Sequence, residues 1–278
     1  MNFTEKVIDT CTRQNSLLCV GLDTDIAKIP QFLRDSDDPI FEFNKAIIDS
    51  TCDSAAAYKP NLAFYEAMGR TGWAALERTV RYIPAGILKI ADAKRGDIGN
   101  TARMYAKAMF EVFGFDALTV NPYLGGDSVA PFLENEAQGV FFLCLTSNAG
   151  SKDFQYFSNG QLTLYELVAQ KVWCWNGKHN CGLVVGATHP EELKRIRELA
   201  PGLPFLIPGI GAQSGDLEAS IRYGTDGNGQ LALFNSSRGI IYKSTDENFA
   251  EAAAKEAKNL KELINKIRQS LLQNFSDG

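Results

Sequence analysis

Short apolar runs alternate with longer segments of helical period along this chain. The apolar runs are predicted as strands and span residues 17–23, 55–59, 87–92, 117–121, 140–146, 182–187, 204–208 and 231–235. Between and after them lie amphipathic segments predicted as helices, at residues 41–51, 62–70, 101–113, 162–173, 191–199, 215–223 and 250–273. Strands that alternate with helices predict parallel pairing through right-handed crossovers.

The number of these units predicts how the sheet is arranged. Eight units in a chain of 278 residues favour an α/β fold of the (β/α)8 (TIM) barrel type, whose typical length is about 250 residues. No linker-like change of composition divides the chain, so we expect one domain over residues 1–278, with a polar tail at 274–278 that frays. The first strand is followed by Gly21-Leu22-Asp23 and not by Gly-x-Gly-x-x-Gly, which weakens the alternative of a dinucleotide-binding sheet.

Charge and hydropathy exclude several classes of partner. The net charge is −5 and no block of Lys or Arg stands out, which argues against a nucleic-acid or anionic-membrane surface. A small basic pocket for one phosphate remains compatible with this balance. No apolar run approaches 18 residues and the first six residues lack the apolar core of a signal peptide, so we expect a cytoplasmic protein.

Cysteine and histidine usage indicates neither a disulfide framework nor a metal site. The six cysteines form no Cys-x-x-Cys pair, and Cys19, Cys144 and Cys181 fall in strand-like runs as reduced core residues. The two histidines, His179 and His189, have no cysteine or carboxylate at ligand spacing. We therefore expect no histidine-based metal site and no histidine general base.

The segment Asp92-Ala93-Lys94-Arg95-Gly96-Asp97 carries the most chemical information, because it follows a predicted strand directly. Alternation along a strand directs Asp92 and Lys94 to the same side, with Asp97 in the loop beyond. A buried charge cluster is costly even when its members are paired, and such clusters gather at functional sites. For this short string alone, a surface salt bridge is the alternative.

Polar residues also follow most of the other predicted strands. Active sites of (β/α)8 barrels lie at the carboxyl ends of the strands, where this chain places Asp23, Lys59 and Ser147. After the last two strands come Pro208-Gly209-Ile210-Gly211-Ala212-Gln213 and Ser237-Arg238-Gly239. Barrels commonly bind phosphate at these two loops, through glycine backbone amides and an arginine fork, so these segments predict a phosphate site.

These residues together resemble the orotidine 5′-phosphate decarboxylase family across nearly the whole chain. The similarity is greatest to its longer branch, in which Asp-Ala-Lys-Arg-Gly-Asp-Ile-Gly-Asn-Thr, here residues 92–101, replaces Asp-x-Lys-x-x-Asp-Ile-Pro-Asn-Thr. The motifs that follow the other strands occur in the expected order: Val20-Gly21-Leu22-Asp23, Tyr58-Lys59-Pro60-Asn61, Pro208-Gly209-Ile210-Gly211 and Ser237-Arg238-Gly239. Gly99 in place of the usual proline affects the shape of the loop and leaves the charged residues intact.

The resemblance implies an enzyme that converts orotidine 5′-monophosphate (OMP) to uridine 5′-monophosphate (UMP), the last step of de novo pyrimidine synthesis, without cofactor or metal. Loss of CO2 leaves a carbanion at C6 that the ring cannot delocalise, so preorganised charges must stabilise it. By resemblance Lys94 lies beside C6 and delivers the proton. Asp92 holds Lys94, and Lys59 and the partner subunit's Asp97 complete an alternating charge network.

The resemblance also assigns the residues that bind substrate and implies a homodimer with shared active sites. Asp23 and Lys59 contact the ribose hydroxyls, together with Thr101 from the partner subunit. Ser147 bonds the pyrimidine amide, although a helix-cap role is the alternative for this serine. The phosphate is held by a set of four residues: Gly211, Gln213, Arg238 and Gly239.

The sequence is also compatible with two other functions. A Mg2+-dependent sugar-phosphate decarboxylase or aldol-type synthase of the same superfamily needs an acidic ligand where this chain has Lys59, whose charge repels a divalent cation. A catalytically silent nucleotide-phosphate binding protein is the second alternative, since fold does not fix function. The charged set at residues 92–97 argues against simple binding, because binding requires no such costly cluster.

Overall fold

The strands of the computed structural model, which describes residues 1–210 and 217–276, close into a barrel. All neighbouring strands are parallel, and the last pairs with the first through Val20 and Ser236. In chain order they are β1 (Leu18–Leu22), β2 (Ala57–Pro60), β3 (Leu88–Arg95), β4 (Ala117–Val120), β5 (Gly139–Leu145), β6 (Cys181–Val185), β7 (Phe205–Pro208) and β8 (Ala232–Ser236). The predicted (β/α)8 barrel is confirmed.

Helices connect the strands, as expected for parallel pairing. They are α1 (Phe3–Gln14), α2 (Gln31–Arg34), α3 (Pro39–Thr51), α4 (Leu62–Glu66), α5 (Gly69–Tyr82), α6 (Gly99–Lys107), α7 (Gly126–Val129), α8 (Leu164–Trp175), α9 (Pro190–Leu199), α10 (Leu217–Gly224), α11 (Arg238–Ile241) and α12 (Phe249–Ser276). Two short 3₁₀ helices cover Ala130–Leu133 and Ala149–Asp153, and a π-helical turn at Ala108–Val112 extends α6.

Several predicted helices differ from the structure or extend beyond its described part. The helix expected at residues 62–70 is two helices, because Gly69 has a φ of +60°, outside the right-handed helical region, and the chain restarts there as α5. The helix expected at 101–113 begins earlier, at Gly99. Residues 215 and 216 of the helix expected at 215–223, like 277 and 278 of the polar tail, lie outside the described residues.

The amino-terminal helix closes the base of the barrel. Asn2 and Glu5 form a capping box that starts α1 and positions Phe3. Phe3 is fully buried, and its ring lies edge-on to Phe141 with 5.6 Å between the ring centroids. A Cβ on Gly139, the first residue of β5, would lie 2.3 Å from the Phe3 ring, so only glycine fits there. The candidate active site lies at the opposite end of the barrel, where the strands finish.

The core of the protein is mostly apolar, and the cysteines in the strands are part of it. Cys19, Cys144 and Cys181 are buried as expected, whereas Cys174 on α8 is exposed. Burial raises the pKa of the Cys19 and Cys181 thiols to about 12, so both remain protonated at neutral pH. Among the helices that the structure describes, none combines the length and apolar character needed to cross a membrane.

Candidate active site

Strand β3 ends irregularly, and this irregularity shapes the site. The strand continues three residues past the predicted end at Asp92, and its register against β4 shifts between Ala91 and Arg95. Lys94 has a φ of +47°, the left-handed region that non-glycine residues seldom occupy. Asp92 forms an isolated parallel bridge with Asn61, just beyond β2. Alternation alone therefore does not describe how Asp92 and Lys94 come together.

Asp92 is the centre of an ion cluster. Its Oδ2 lies 2.7 Å from Lys59 Nζ, and its Oδ1 lies 2.5 Å from Lys94 Nζ. The Lys59 side chain is 4% exposed and that of Asp92 is 12% exposed, whereas half of the Lys94 side chain is exposed. Lys59 thus holds the carboxylate from inside the barrel, whereas the ammonium of Lys94 lies at the open end.

The two buried members of the cluster are held in their charged forms. Burial opposes the ionisation of Asp92, but the ammonium groups of Lys59 and Lys94 outweigh it and lower the pKa of Asp92 to about 2. Burial alone would lower the pKa of Lys59, but the carboxylates of Asp92 and Asp23 outweigh it and raise that pKa. Asp92 and Lys59 are therefore both charged at neutral pH.

Asp23 joins this group from the end of β1. Gly21 of β1 is in register with Lys59 of β2, which brings the residue two positions further along to the same end of the barrel. The Oδ1 atom of Asp23 is buried and has no hydrogen-bond partner among the described residues. A buried, unpaired carboxylate oxygen is costly, so Asp23 is suited to accept a hydrogen bond from a ligand.

Two other predicted site residues lie apart from the cluster. Asp97 accepts a hydrogen bond of 2.8 Å from the backbone amide of Ile98, and within the described residues it forms no ion pair. Thr101, in the first turn of α6, is exposed. Between them Ile98 exposes 61% of its surface, so this segment presents its side chains outward from its own barrel.

The end of β8 packs closely against the end of β1. A Cβ added to Gly21 would lie 1.8 Å from Oγ and 2.8 Å from Cβ of Ser237, so the lack of a side chain at Gly21 makes room for Ser237. The next residue, Arg238, begins α11 and is exposed, as is Gly239. This contact places the predicted phosphate-binding arginine beside the strand that leads to Asp23.

The other residues predicted to contact the substrate follow β7 and β5 in the sequence. Gly211 and Gln213 lie outside the described residues, although Gly209 before them has a φ of +96°, which favours glycine. Ser147 follows β5 and is exposed. The residue that precedes the 3₁₀ helix Ala149–Asp153 is Asn148, so the helix-cap interpretation of Ser147 is wrong.

Sequence reasoning missed two side chains that hold the end of β3. Thr119 of β4 bonds both to the backbone of β3 and to Asp92. Arg95 forms a partly buried ion pair with Glu66 of α4, and its guanidinium lies 5.4 Å from the centre of the Tyr105 ring. A threonine inside an apolar strand was a signal that could have indicated the first of these residues.

A cavity of about 760 Å³ lies near the site without belonging to it. It is lined by residues that include Asn121, Leu143, Thr146 and Trp175, and by none of the predicted site residues that the structure describes. Asn121 accepts a hydrogen bond of 3.0 Å from the amide of Tyr123, in the turn that follows β4. Across residues 1–210 and 217–276, no three His, Cys, Asp or Glu side chains are grouped to hold a metal ion.

Comparison with known proteins identifies relatives over almost the full chain. A family model described as "Orotidine 5'-phosphate decarboxylase / HUMPS family" matches residues 16–255. The orotidine 5′-phosphate decarboxylase of Dehalococcoides mccartyi is 50% identical over 273 residues, which cover 97% of this chain and 99% of the relative. That of Christiangramia forsetii is 51% identical over 256 residues, which cover 91% and 94%.

Solved structures agree with these relatives. The structure of Leishmania donovani OMP decarboxylase superposes with a TM-score of 0.84 at 42% identity, and covers 96% of this chain and 99% of its own. The structure of Leishmania donovani UMP synthase superposes with a TM-score of 0.85 at 44% identity. That match covers 96% of this chain and 57% of the longer one.

Proposed function

This chain belongs to the orotidine 5′-phosphate decarboxylase family, and we propose that Lys59, Asp92 and Lys94 carry out the chemistry of that family in it. The chain is a carbon–carbon lyase that converts OMP to UMP in pyrimidine biosynthesis. One observation carries the proposed mechanism: Lys94 Nζ lies 2.5 Å from a carboxylate that Lys59 already fixes from below.

The reaction requires a cation beside the carbon that loses CO2. As the bond from C6 to the carboxylate breaks, its electron pair stays on C6 in an orbital that does not overlap the ring π-system. The Lys94 ammonium stabilises this developing charge electrostatically and then transfers a proton to C6, which completes UMP. Because the buried ion pair with Lys59 holds Asp92 in place, little reorganisation accompanies the step. Asp92 also lies close to the departing carboxylate and disfavours the bound ground state.

The sugar and base are bound around the same cluster. Asp23 accepts a hydrogen bond from a ribose hydroxyl through its buried oxygen, which has no partner among the described residues. Lys59 donates to the ribose from beneath, and Ser147 bonds the pyrimidine amide. These contacts place C6 over Lys94, so that the reacting atoms meet in one geometry.

The phosphate is bound at the ends of β7 and β8. Arg238 provides a guanidinium fork, with Gly211, Gln213 and Gly239 as further donors. The contact between Gly21 and Ser237 supports this assignment, because it sets Arg238 beside the strand end that carries Asp23. Binding energy from the distant phosphate can then be used to orient the reacting end of the substrate.

We further infer a homodimer whose two sites each use residues of both chains. Asp97 and Thr101 from the partner subunit complete the charge network and the ribose contacts. The exposed segment that carries them supports this inference, because Ile98 and Met104 expose 61% and 49% of their surfaces to solvent. In a two-fold dimer the same segment of each chain serves the site of the other.

Composition supports a proposal about where the enzyme acts and what it binds. We propose that residues 1–278 form one catalytic domain that acts in the cytoplasm, and that it binds OMP and UMP but neither nucleic acid nor membrane. The acidic balance of the chain, with a net charge of −5, supports this.

An absorbance assay tests the proposed function. Purified full-length chain is mixed with OMP in EDTA, loss of the OMP absorbance is followed, and the product is identified by chromatography. We expect UMP to form at the full rate in EDTA. Activity that needs added Mg2+ would instead support the metal-dependent relatives, and tight OMP binding without turnover would support a silent binding protein.

A further inference from the structure

Thr119 has no role in the substrate contacts proposed above, yet it bonds to the active-site strand at three points. It is the third residue of β4, a strand whose positions are all buried, and only 1% of its surface is exposed. A hydroxyl buried among apolar neighbours is costly unless it is fully hydrogen-bonded. Among the described residues, the hydrogen bonds of the Thr119 hydroxyl all go to residues 92–94.

Two of these bonds fix the backbone at the irregular end of β3. The amide N–H groups of Ala93 and Lys94 both donate to Thr119 Oγ1, at 3.0 and 2.9 Å. They lie where the register between β3 and β4 shifts and where Lys94 takes a φ of +47°. A left-handed backbone at a non-glycine residue persists only when its surroundings hold it.

The third bond reaches the catalytic carboxylate. A hydroxyl has two acceptor lone pairs and one donor hydrogen, and the two amides occupy the lone pairs. The hydrogen is left to donate to Asp92 Oδ1 at 3.3 Å, the same oxygen that binds Lys94 Nζ at 2.5 Å. Thr119 thus contacts both the backbone that carries the Lys94 side chain and the anion that the ammonium meets.

We infer that Thr119 is a positioning residue for Lys94, an inference that rests on the proposed function. Its hydroxyl holds the Lys94 backbone in the left-handed conformation and orients Asp92, and together these direct the ammonium toward C6. The neighbouring strand, more than the sequence of β3, sets the geometry of the proton donor. The role depends on the hydroxyl, because a side chain of the same shape without it forms none of the three bonds.

Thr119→Val and Thr119→Ser separate this role from simple packing. The valine variant keeps the shape and removes the hydroxyl, so we expect kcat for OMP to fall about 10- to 100-fold. KM for OMP and the affinity for UMP, measured by calorimetry, should stay within about threefold, because the ribose and phosphate contacts remain. The serine variant restores the hydroxyl and should recover most of kcat.

Thr51→Val is the matched control. Thr51 on α3 is equally buried, and its hydroxyl bonds to the Ile47 carbonyl and Tyr58, away from the charge cluster. The Thr51→Val variant loses a buried hydroxyl of the same kind. Because that hydroxyl does not contact the charge cluster, kcat should remain near that of the wild type. If Thr119→Val does not fold, Thr119→Ala also removes the hydroxyl and is compared with Thr119→Ser in the same way.

The outcomes distinguish this inference from the proposed function. A wild-type chain without OMP turnover would overturn the proposed function and this role with it. Normal wild-type turnover with a kcat within about threefold for Thr119→Val would overturn the role of Thr119 alone. If Thr119→Ser does not recover the kcat that Thr119→Val loses, the role of Thr119 is also overturned. A change confined to KM would overturn it as well.

Discussion

The Lys59 ammonium lies 2.7 Å from Oδ2 of Asp92, and the two side chains expose only 4% and 12% of their surfaces. A buried pair of this kind makes a fold little more stable than well-packed apolar residues in its place would, because desolvating two ions costs about as much as their attraction returns. Its value here is geometric. Asp92 is ionised and fixed from within the barrel, so its other oxygen can hold Lys94 at the open end.

Acid titration should reveal the buried Asp92 through the free energy of unfolding. Its pKa of about 2 in the folded chain lies below the value near 3.9 that is usual for an unfolded Asp. The resulting stability, about 2 kcal/mol, is fully present above pH ~4 and is lost as pH falls through about 2. Asp92→Asn lacks this contribution and leaves Lys59 buried without its anion.

The difference in unfolding free energy between wild type and Asp92→Asn, measured in urea, should therefore be large at pH 5 and shrink by about 2 kcal/mol by pH 2. Asp49→Asn is the control, because Asp49 pairs with Lys45 in an ion pair of which about half is exposed. Such pairs are worth about 1 kcal/mol or less. If the difference in unfolding free energy between wild type and Asp92→Asn did not change with pH, this would contradict the assignment of a buried, ionised Asp92.

Gly21→Ala should disturb phosphate binding through Ser237. The new Cβ would lie 2.8 Å from the Ser237 Cβ, so the chain that leads into Arg238 must shift. Overpacking of this kind costs about 1–3 kcal/mol, and we expect kcat/KM for OMP to fall about tenfold or more in steady-state assays.

Adding Ser237→Gly removes the obstructing atoms and should restore part of the activity that Gly21→Ala loses. Gly177→Ala is the neutral control, because a Cβ there meets no atom within 4 Å. Unchanged kcat/KM in Gly21→Ala would show that Arg238 does not depend on this contact, and the phosphate site would have to be placed elsewhere.

Mixing two inactive variants tests whether the active sites are shared. If Lys94 and Asp97 come from different chains, a dimer of one Lys94→Ala chain and one Asp97→Ala chain has one intact site. Random exchange of equal amounts makes half of the dimers mixed, so activity should rise to about a quarter of wild type.

The control mixture for subunit exchange combines Lys94→Ala with Asp92→Ala, whose residues belong to one site. It should gain nothing, because each site of the mixed dimer still lacks one of them. Exchange is verified by mass spectrometry of labelled chains. If the Lys94→Ala and Asp97→Ala chains exchange but remain inactive, Asp97 serves the site of its own chain.

Periodicity was enough to predict the barrel, because its strands are short apolar runs bounded by polar residues. The ends of β1, β2 and β8 fall within a few residues of the predicted ends, so Asp23, Lys59 and Arg238 were placed at the correct end of the barrel. The helix α5 was missed because Gly69 and Gly72 have low helix propensity. In the structure a Cβ at Gly72 would lie 1.9 Å from the Tyr65 carbonyl oxygen, so close packing requires glycine there.

The end of β3 could not be predicted from its own residues. Strand alternation correctly predicted that Asp92 and Lys94 lie close together. Alternation assumes a regular strand, however, and β3 is irregular at these residues. The left-handed backbone at Lys94 depends on Thr119, which is 25 residues away in sequence. Contacts of this kind become visible only when neighbouring strands are paired.

Turnover of Lys94→Ala is the most direct test of the mechanism. Removing the ammonium removes both the electrostatic stabilisation of C6 and the proton donor, and each 1.36 kcal/mol lost is about tenfold in rate. We therefore expect kcat, measured by loss of OMP absorbance, to fall by several decades while UMP still binds through the ribose and phosphate contacts. A Lys94→Ala variant that keeps more than about a tenth of wild-type kcat would contradict the central role of Lys94.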